Sequence, residues 1–324
     1  MALTGGADRI GVGLVGARGY TGAELVRLLE AHPRFHLAFA SSRQGKGKPL
    51  SSLCEGAETA LLVEELGPAD VAARGSAGVA AVILAMPNGQ AAAYVEAIEG
   101  AGAEAIVVDL SADHRFDARW AYGLPELGRA KLGAARRIAN PGCYATGAQL
   151  GIAPARGLLS GPPHVFGVSG YSGAGTTPSD KNDPEKLRDN LMPYALTGHI
   201  HEREIAHGLG IEVFFTPHVA PFFRGITLTI SMPLAAPVSV EALRALYLEA
   251  YAAEPLVQVQ DEIPLVRDAA GRHGVTIGGI TVDAAGRRAV VVVTLDNLLK
   301  GAATQALQNL NLACSLPELL GVPS

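Results

Sequence analysis

Cysteine and aromatic residues are scarce in this chain. Its 324 residues include three cysteines, and aromatic side chains make up 5% of the sequence. The cysteines are far apart and form no Cys-x-x-Cys pair, so neither a disulfide framework nor a structural zinc site is predicted. Reduced thiols are typical of cytoplasmic proteins. So few aromatic side chains argue against a stacking surface for single-stranded nucleic acid.

An excess of positive charge and long apolar runs are also absent. The chain has 26 basic and 31 acidic residues, a net charge of -5. This balance gives no basic face for nucleic acid or for an anionic membrane. No run of about 18 apolar residues could span a bilayer, and the first 16 residues lack the pattern of a secretion signal. We therefore expect a cytoplasmic protein that acts on a small molecule, without a nucleic-acid or membrane partner.

The first half of the chain alternates short apolar runs with helical patterns. Such alternation favours an α/β fold, here an N-terminal Rossmann-type domain with a doubly wound parallel sheet. The predicted strands are residues 10–15, 35–40, 80–85 and 106–110, and the predicted helices are residues 23–31 and 91–99.

The pattern changes after about residue 150. Consecutive β-branched or alternating runs with few helices predict an α+β domain with a mostly antiparallel sheet. We place a dinucleotide-binding domain at residues 1–147, completed by a C-terminal helical segment at 298–324, and a second domain at 148–297. The predicted elements of the second domain are strands at 164–169, 211–218, 225–232, 275–283 and 289–295, and a helix at 238–253.

A glycine-rich segment, GLVGARGYTG at 13–22, follows the first predicted strand and opens a helix. Glycines at 13, 16, 19 and 22 let the backbone turn sharply and approach a pyrophosphate at the helix start. The order is GxxGxxG rather than GxGxxG, so a plain structural turn is the alternative. Because ligands of such sheets bind at the carboxyl ends of strands, we assign these residues to the cofactor site: Gly13, Gly16, Arg18, Gly19, Tyr20, Thr21, Gly22, Pro87, Asn88 and Ser111.

The end of the second strand indicates which dinucleotide binds. An NAD enzyme usually ends this strand with Asp or Glu on the ribose 2′-hydroxyl. Here it ends with Ser41, Ser42 and Arg43, and Lys46 and Lys48 follow. Hydroxyls and a guanidinium suit a 2′-phosphate, so we predict NADP(H). The alternative is a solvated basic loop.

One cysteine lies in an unusual context, the segment NPGCYATG at 140–147. Pro141 and Gly142 predict a tight bend that leaves the sulfur of Cys143 at a helix N-terminus, where thiolate is stabilised. Beside a nicotinamide, such a thiolate suggests attack on an acyl group, departure of the leaving group and reduction of the thioester to an aldehyde. The alternative is an inert buried thiol, which is how we interpret Cys54 and Cys314.

Histidines and arginines in three further segments are candidates for proton transfer and anion binding. The segment GHIHEREI carries His199 and His201, and histidine is the usual proton carrier near neutral pH. This spacing can also bind a metal, but no third ligand is evident and we predict none. The connection between two strands could present His218 and Arg224 to an anionic substrate, and Arg115 follows another strand end. For each arginine, a structural ion pair is the alternative.

These segments, in this order, resemble the N-acetyl-γ-glutamyl-phosphate reductase family, which is related to the aspartate-semialdehyde dehydrogenases. The likeness covers nearly the whole chain. The motifs that carry it are GARGYTGAEL at 16–25, DLSADHR at 109–115, NPGCY at 140–144, SGYSGAG at 169–175 and KGAA at 300–303.

The resemblance implies an activity and a set of site residues. The reaction would be the NADPH-dependent reduction of N-acetyl-γ-glutamyl phosphate to N-acetylglutamate 5-semialdehyde and phosphate in arginine biosynthesis, through a thioester on Cys143. His199 would be the general acid/base, and residues 148–297 would be the catalytic and oligomerisation domain of a homodimer or homotetramer. The implied substrate-binding residues are Arg115, Asn140, His201, Glu204, His218 and Arg224, and the implied cofactor-binding residues include Ser172, Gly173 and Gln305.

Two departures from the family pattern leave the substrate open. Residues 176–178 are Thr-Thr-Pro where many relatives carry a basic residue, and residues 202–204 are Glu-Arg-Glu where relatives often have Thr-Pro-Glu. A related reductase of lysine biosynthesis takes an aminoadipate derivative that is one methylene longer, a difference worth about 1–3 kcal/mol. Aspartate-semialdehyde dehydrogenase and, in a different class, a non-catalytic protein that senses NADPH are two further candidates.

Overall fold

The structure, a computed structural model, describes residues 9–323. The chain forms two compact units. The first contains the residues up to Asn140 and those from Ala303 onward, and the second is Pro141–Ala302. These divisions differ by a few residues from the predicted boundaries at 147 and 298. The first eight residues, part of the segment in which we expect no secretion signal, lie outside the described residues.

The first unit contains a seven-stranded sheet in which every strand contact is parallel. The strand order is β3-β2-β1-β4-β5-β7-β6. Nucleotide-binding α/β proteins use a similar order, with the direction of winding reversing beside β1. The strands are β1 Ile10–Val15, β2 Phe35–Ser41, β3 Val63–Glu64, β4 Ala81–Leu84, β5 Ile106–Asp109, β6 Ala121–Tyr122 and β7 Arg137–Ala139.

Helices cover both faces of this sheet, as the doubly wound prediction requires. On one face, Leu25 and Leu29 of the first helix pack with Leu307 of the last helix. On the other face, Val71 of the second helix and Val95 of the third helix pack against the strands. The predicted parallel α/β fold is therefore confirmed. The helices of this unit are α1 Tyr20–Ala31, α2 Pro68–Ser76, α3 Ala91–Gly100, α4 Pro125–Gly128 and, in chain order after those of the second unit, α10 Thr304–Ala313.

The second unit contains another seven-stranded sheet, of order β12-β13-β14-β11-β8-β10-β9. Four of its six strand contacts are antiparallel, which agrees with the predicted mostly antiparallel sheet. The β8–β10 and β12–β13 contacts are parallel, and the sequence did not predict them. The strands are β8 His164–Gly170, β9 Met192–Pro193, β10 Phe214–Ala220, β11 Ile226–Pro233, β12 Val257–Val259, β13 Val275–Val282 and β14 Arg288–Leu295.

One helix of the second unit, Cys143–Ile152, packs closely on this sheet because it carries two glycines. A Cβ on Gly147 would lie 2.8 Å from Leu228 and Leu295, and a Cβ on Gly151 would lie 2.4 Å from Ile230. The close packing fixes the helix, and so fixes the position of its first residue. The helices of this unit are α5 Cys143–Ile152, α6 Pro184–Leu187, α7 Ile200–Leu209, α8 Val240–Ala250 and α9 Val266–Ala269, and a single π-turn spans Leu299–Ala303.

Within residues 9–323, no helix has both the length and the apolar character needed to cross a membrane. The same residues contain no group of three or more His, Cys, Asp or Glu side chains arranged to hold a metal ion.

Candidate active site

Cys143 is the first residue of α5, and this helix has no side-chain cap. Its N-cap residue is Gly142, in an extended conformation with φ -72° and ψ 151°. The first N–H groups of a helix have no partner within the helix, and together with the helix dipole they favour negative charge. Cys54 is buried, as the sequence interpretation expected, whereas Cys143 and also Cys314 are partly exposed. Burial raises the pKa of the Cys54 thiol and raises that of Cys314 to about 11.

A buried carboxylate holds the turn that precedes Cys143. The N–H of Gly142 donates to Oε1 of Glu204 at 2.9 Å, and Glu204 is almost fully buried in α7. The family likeness assigned Glu204 to substrate binding. The contact in the structure indicates that Glu204 fixes the bend before the nucleophile.

Aromatic rings and two histidines cluster beside the start of α5. The ring of Tyr144 lies 6.5 Å from that of His199 and 5.7 Å from that of His201, measured between centroids. Tyr194 lies 5.5 Å from His199. The pKa of Tyr194 is raised, first by burial and then by the nearby Cys143 sulfur. Tyr194 therefore lies close to both the predicted nucleophile and the predicted proton carrier.

His199 is the N-cap of α7. Its Nδ1 accepts a hydrogen bond from the N–H of His201 at 3.1 Å, so the neutral ring carries its proton on Nε2. Burial, followed by the charge of Lys181, lowers the pKa of His199 to about 4. Histidine's ordinary pKa favours proton exchange near pH 7, but this ring is neutral there. It presents an N–H donor rather than an imidazolium.

The lowered pKa of His199 predicts a pH-dependent stability. The unfolded chain binds a proton at His199 near pH 6.5, but the folded protein does so only near pH 4. Stability from this residue is therefore complete above about pH 6.5 and is lost as the pH falls toward 4. We expect His199→Asn, which keeps an N-cap side chain, to unfold in urea with a weaker pH dependence between pH 4 and 6.5.

His199→Ala is the matched control for that experiment. It removes the ionisation and also the cap, so it should show the same weak pH dependence with a further loss of roughly 1 kcal/mol at every pH. A wild-type slope in His199→Asn would contradict the lowered pKa.

Arg224 is held by a buried aspartate. Its Nε donates to Oδ2 of Asp296 at 2.6 Å and its Nη2 donates to Oδ1 at 3.1 Å. The neighbouring Asn297 accepts from the N–H of Gly225 at 2.7 Å and donates to Oγ of Ser172 at 2.8 Å. The sequence interpretation missed both Asp296 and Asn297. The signal that could have found them is a polar pair directly after a buried strand.

His218 contacts its own strand, the neighbouring strand β8 and helix α5. Its Nδ1 lies 3.3 Å from the Thr216 carbonyl, its ring packs against Phe166, and its carbonyl accepts from the Tyr144 hydroxyl at 2.7 Å.

Gly173, which the family likeness assigns to the cofactor site, lies beside Ser169. A Cβ on Gly173 would be 2.9 Å from Oγ of Ser169.

In the first unit, the glycine loop joins β1 to α1. Gly16 has φ +92°, and a Cβ on it would lie 2.1 Å from the carbonyl oxygen of Ala85, so this position requires glycine. Gly19 is the N-cap of α1, which also lacks a side-chain cap. Gly13 lies within β1 instead, where a Cβ would overlap the ring of Phe39. Arg18 of this loop is exposed, Tyr20 and Thr21 at the start of α1 are partly exposed, and Gly22 is buried.

The end of β2 and the two residues after it contain one buried and two accessible candidates. The hydroxyl of Ser41 accepts from the N–H of Leu66 at 3.0 Å, and its carbonyl accepts from the N–H of Gly16 at 2.9 Å. Ser41 therefore fixes the glycine loop. Ser42 is partly exposed and Arg43 is exposed, so these two side chains are accessible to a ligand.

The loops after β4 and β5 are tied together. Oδ1 of Asn88, which follows Pro87, accepts from the N–H of Ala112 at 2.9 Å. The hydroxyl of Ser111 donates to buried Asp109 at 2.9 Å, and Nδ1 of His114 lies 2.7 Å from the same carboxylate. Asp109 and His114 order this strand end, although the sequence interpretation gave them no role.

Arg115 and Asn140 also lie together in the first unit. Nε of Arg115 donates to the Asn140 carbonyl at 3.0 Å, and Nη2 donates to the Leu110 carbonyl at 2.8 Å. The side chain of Asn140 accepts from Asn309 of α10 at 3.0 Å. Gln305 lies on the same helix and is fully buried. Arg115 thus orders the backbone that leads, three residues later, to Cys143.

Comparison with known proteins identifies the family. Residues 11–135 match the family model described as "Semialdehyde dehydrogenase, NAD binding domain", and residues 143–297 match "Semialdehyde dehydrogenase, dimerisation domain". The N-acetyl-gamma-glutamyl-phosphate reductase of Xanthomonas axonopodis pv. citri (strain 306) is 56% identical over 96% of this chain and 98% of its own. The protein of that name from Xylella fastidiosa (strain 9a5c) is 57% identical over 96% of this chain and 93% of its own. The chain belongs to the N-acetyl-gamma-glutamyl-phosphate reductase family.

Solved structures agree with the fold of this reductase family. An aspartate semialdehyde dehydrogenase II of Vibrio cholerae, complexed with ASA, matches with a TM-score of 0.77 and 18% identity over 95% of this chain and 99% of its own. The aspartate semialdehyde dehydrogenase of Candida albicans, with NADP, matches with a TM-score of 0.69 and 18% identity over 94% of this chain and 100% of its own. The predicted resemblance and fold class are confirmed.

Proposed function

We propose that the chain catalyses the NADPH-dependent reduction of N-acetyl-γ-glutamyl phosphate to N-acetylglutamate 5-semialdehyde, with release of phosphate, in arginine biosynthesis. The observation that carries this proposal is the 56% identity, over 96% of the chain, to a relative named for that reaction. The uncapped start of α5 at Cys143 supports the chemistry.

Cys143 is the nucleophile in this proposal. Its thiolate forms a bond to the acyl carbon of the substrate while the carbon–oxygen bond to the phosphate breaks, and phosphate leaves with the electron pair. NADPH, when bound, supplies the hydride that reduces the thioester carbon. The carbon–sulfur bond then breaks, the aldehyde is released and the sulfur returns as thiolate. Glu204 holds the bend that presents the sulfur.

His199 acts as a neutral hydrogen-bond donor. Its proton lies on Nε2 because Nδ1 accepts from the backbone, and its lowered pKa keeps it neutral at pH 7. A neutral imidazole at a helix start can polarise a carbonyl oxygen without an exchange of charge. Arg224, oriented by Asp296, binds an anionic group of the substrate. His201 and His218 both contact Tyr144, the residue after Cys143.

The residues of the first unit fit a dinucleotide. The uncapped start of α1 at Gly19 suits a pyrophosphate. Ser42 and Arg43 at the end of β2 suit a 2′-phosphate, since no Asp or Glu occupies that strand end. These features support NADPH over NADH. In this proposal Pro87, Asn88, Ser111 and Gln305 complete the part of the cofactor site that this unit provides, and Ser172 and Gly173 stay predictions from the family likeness.

We further propose a cytoplasmic homo-oligomer, either a dimer or a tetramer. The match of residues 143–297 to a family model described as a dimerisation domain supports this. Phe166 and Phe214, on strands of the second sheet, expose 37% and 50% of their surface in the single chain, an amount of exposed aromatic area that association would bury.

The reverse reaction tests the proposed substrate. Purified protein is given phosphate, NADP and, in parallel, N-acetylglutamate 5-semialdehyde, its one-carbon-longer homologue and aspartate semialdehyde. We expect kcat/KM for the first to exceed that for the homologue by roughly 10–200-fold, which is the value of one methylene in a fitted pocket. If kcat/KM is higher for either of the other two aldehydes, the proposed substrate is wrong and the preferred aldehyde identifies the substrate. Dinucleotide binding without turnover of any of them would favour a sensing protein.

A further inference from the structure

A π-turn lies directly against the nucleophile. The turn Leu299–Ala303 contains the hydrogen bond from the N–H of Gly301 to the carbonyl of Asp296 at 2.9 Å, which joins residues five apart. Single π-turns are rare and recur at functional sites. The reaction proposed above gives this segment no role.

Gly301 touches the backbone of Cys143. A Cβ on Gly301 would lie 2.7 Å from Cβ of Cys143 and 3.3 Å from its Cα. Side-chain movement cannot relieve this overlap, because the atoms approached are the first two of the cysteine itself. The absence of a side chain at 301 therefore permits the observed position of Cys143.

The carboxylate of Asp296 fixes both this turn and Arg224. Its Oδ1 accepts from the N–H groups of Leu298 at 2.8 Å and Leu299 at 3.2 Å, at the start of the turn. Its Oδ2 accepts from Gly271 at 2.6 Å, and both oxygens accept from Arg224 at 2.6 and 3.1 Å. Asp296 is fully buried. Each of these contacts places a donor against the carboxylate.

We propose that Asp296 and Gly301 are positioning residues for the reaction: Gly301 sets the place of Cys143, and Asp296 fixes both the turn that carries Gly301 and the guanidinium of Arg224. The expected effect of these two residues on turnover rests on the proposed function. One carboxylate thereby fixes the distance between the anion-binding guanidinium and the nucleophile, because both ends of the arrangement are anchored on it.

Gly301→Ala tests the nucleophile end. We expect Cys143 to move, so that kcat falls by about 10²-fold while the KM for NADP stays within about twofold. The pH profile for alkylation of Cys143 by iodoacetamide, followed on its peptide by mass spectrometry, should shift. Gly157→Ala is the matched control, since a Cβ at that exposed position meets nothing within 4 Å. Wild-type alkylation and kcat in Gly301→Ala would overturn the role of Gly301.

Asp296→Ala tests the shared anchor. It removes both carboxylate oxygens, so the turn loses the acceptor of Leu298 and Leu299, and Arg224 loses both of its acceptors. We expect an altered alkylation profile at Cys143 and a KM for phosphate that rises roughly tenfold or more. Arg224→Lys should raise the KM for phosphate but leave alkylation as in the wild type. If Asp296→Ala alkylates like the wild type, Asp296 serves Arg224 alone and the shared anchor is wrong.

The alkylation readout separates this proposal from the reaction itself. If the wild type turns over none of the aldehydes while the variants still alter alkylation, the proposed function fails and the positioning of Cys143 stands. Circular dichroism and thermal unfolding establish that each variant is folded. Should Asp296→Ala not fold, Asp296→Glu, which lengthens the side chain by one methylene, must also alter alkylation, and wild-type alkylation there overturns the anchor.

Discussion

Cys143→Ser is expected to lower reductase turnover by about 10³-fold or more while the protein remains folded. A serine hydroxyl is not ionised near neutral pH, so the uncapped start of α5 has no anion to stabilise and the acyl group is not transferred. The substitution changes one atom at a partly exposed helix start, so thermal unfolding should be nearly unchanged. Steady-state rates in the reverse direction measure the effect.

Mass spectrometry gives a second reading of the same variant. Without NADPH, wild-type protein mixed with the acyl phosphate should gain the mass of one acyl group on the Cys143 peptide, and Cys143→Ser should gain none. Cys54→Ser and Cys314→Ser are the matched controls, because burial raises the pKa of both thiols. Turnover in Cys143→Ser equal to that of the wild type would end the thioester mechanism.

The sequence predicted the strands and helices whose apolar residues recur with the period of a buried face. Strand β1, helix α1 and strand β2 came within a few residues of their observed bounds, because each carries a period that burial enforces. Strands of two or three residues such as β6, β9 and β12 were missed. Their pairing comes from neighbouring strands, and so few residues show no period of their own.

The sequence did not predict the direction of every strand in the second sheet. Strands β8 and β10 are parallel, with α7 in the connection between them. A parallel pair needs such a crossover. The segment that forms α7 was interpreted only as a histidine motif, since its helical start depends on capping by the side chain of His199. Histidine is not among the usual N-cap residues.

The candidate site was predictable where a local bend determines it. Pro141 and Gly142 placed Cys143 at a helix start, which the structure contains. Contacts between distant segments were not predictable. The pairing of Arg224 with Asp296 spans 72 residues, and no local pattern distinguishes it from solvent exposure. The π-turn was interpreted as a helix because its geometry depends on Asp296 and on contact with Cys143.

Arg43→Ala is expected to weaken NADPH binding by roughly 10–150-fold, the equivalent of about 1.5–3 kcal/mol for a hydrogen bond to a charged group. NADH lacks the 2′-phosphate, so its affinity should change little. Arg43 is exposed, two residues beyond the carboxyl end of β2, and the nearby acidic residues Glu65 and Glu64 pair with Lys46 and Arg74 instead. Its loss should therefore leave the fold intact. Dissociation constants for both dinucleotides, from fluorescence titration, measure the ratio.

The matched control for this variant is Arg34→Ala. Arg34 is also exposed and directly precedes β2, so it lies at the opposite end of the same strand. It removes an equal charge far from the ends of the strands where ligands of such sheets bind. The control separates a local contact with the 2′-phosphate from a general electrostatic attraction, which falls with salt. If both variants weaken NADPH equally, or if Arg43→Ala weakens NADPH and NADH equally, the phosphate is bound elsewhere. Selectivity would then come from the partly exposed Ser42 or from the lysines that follow it.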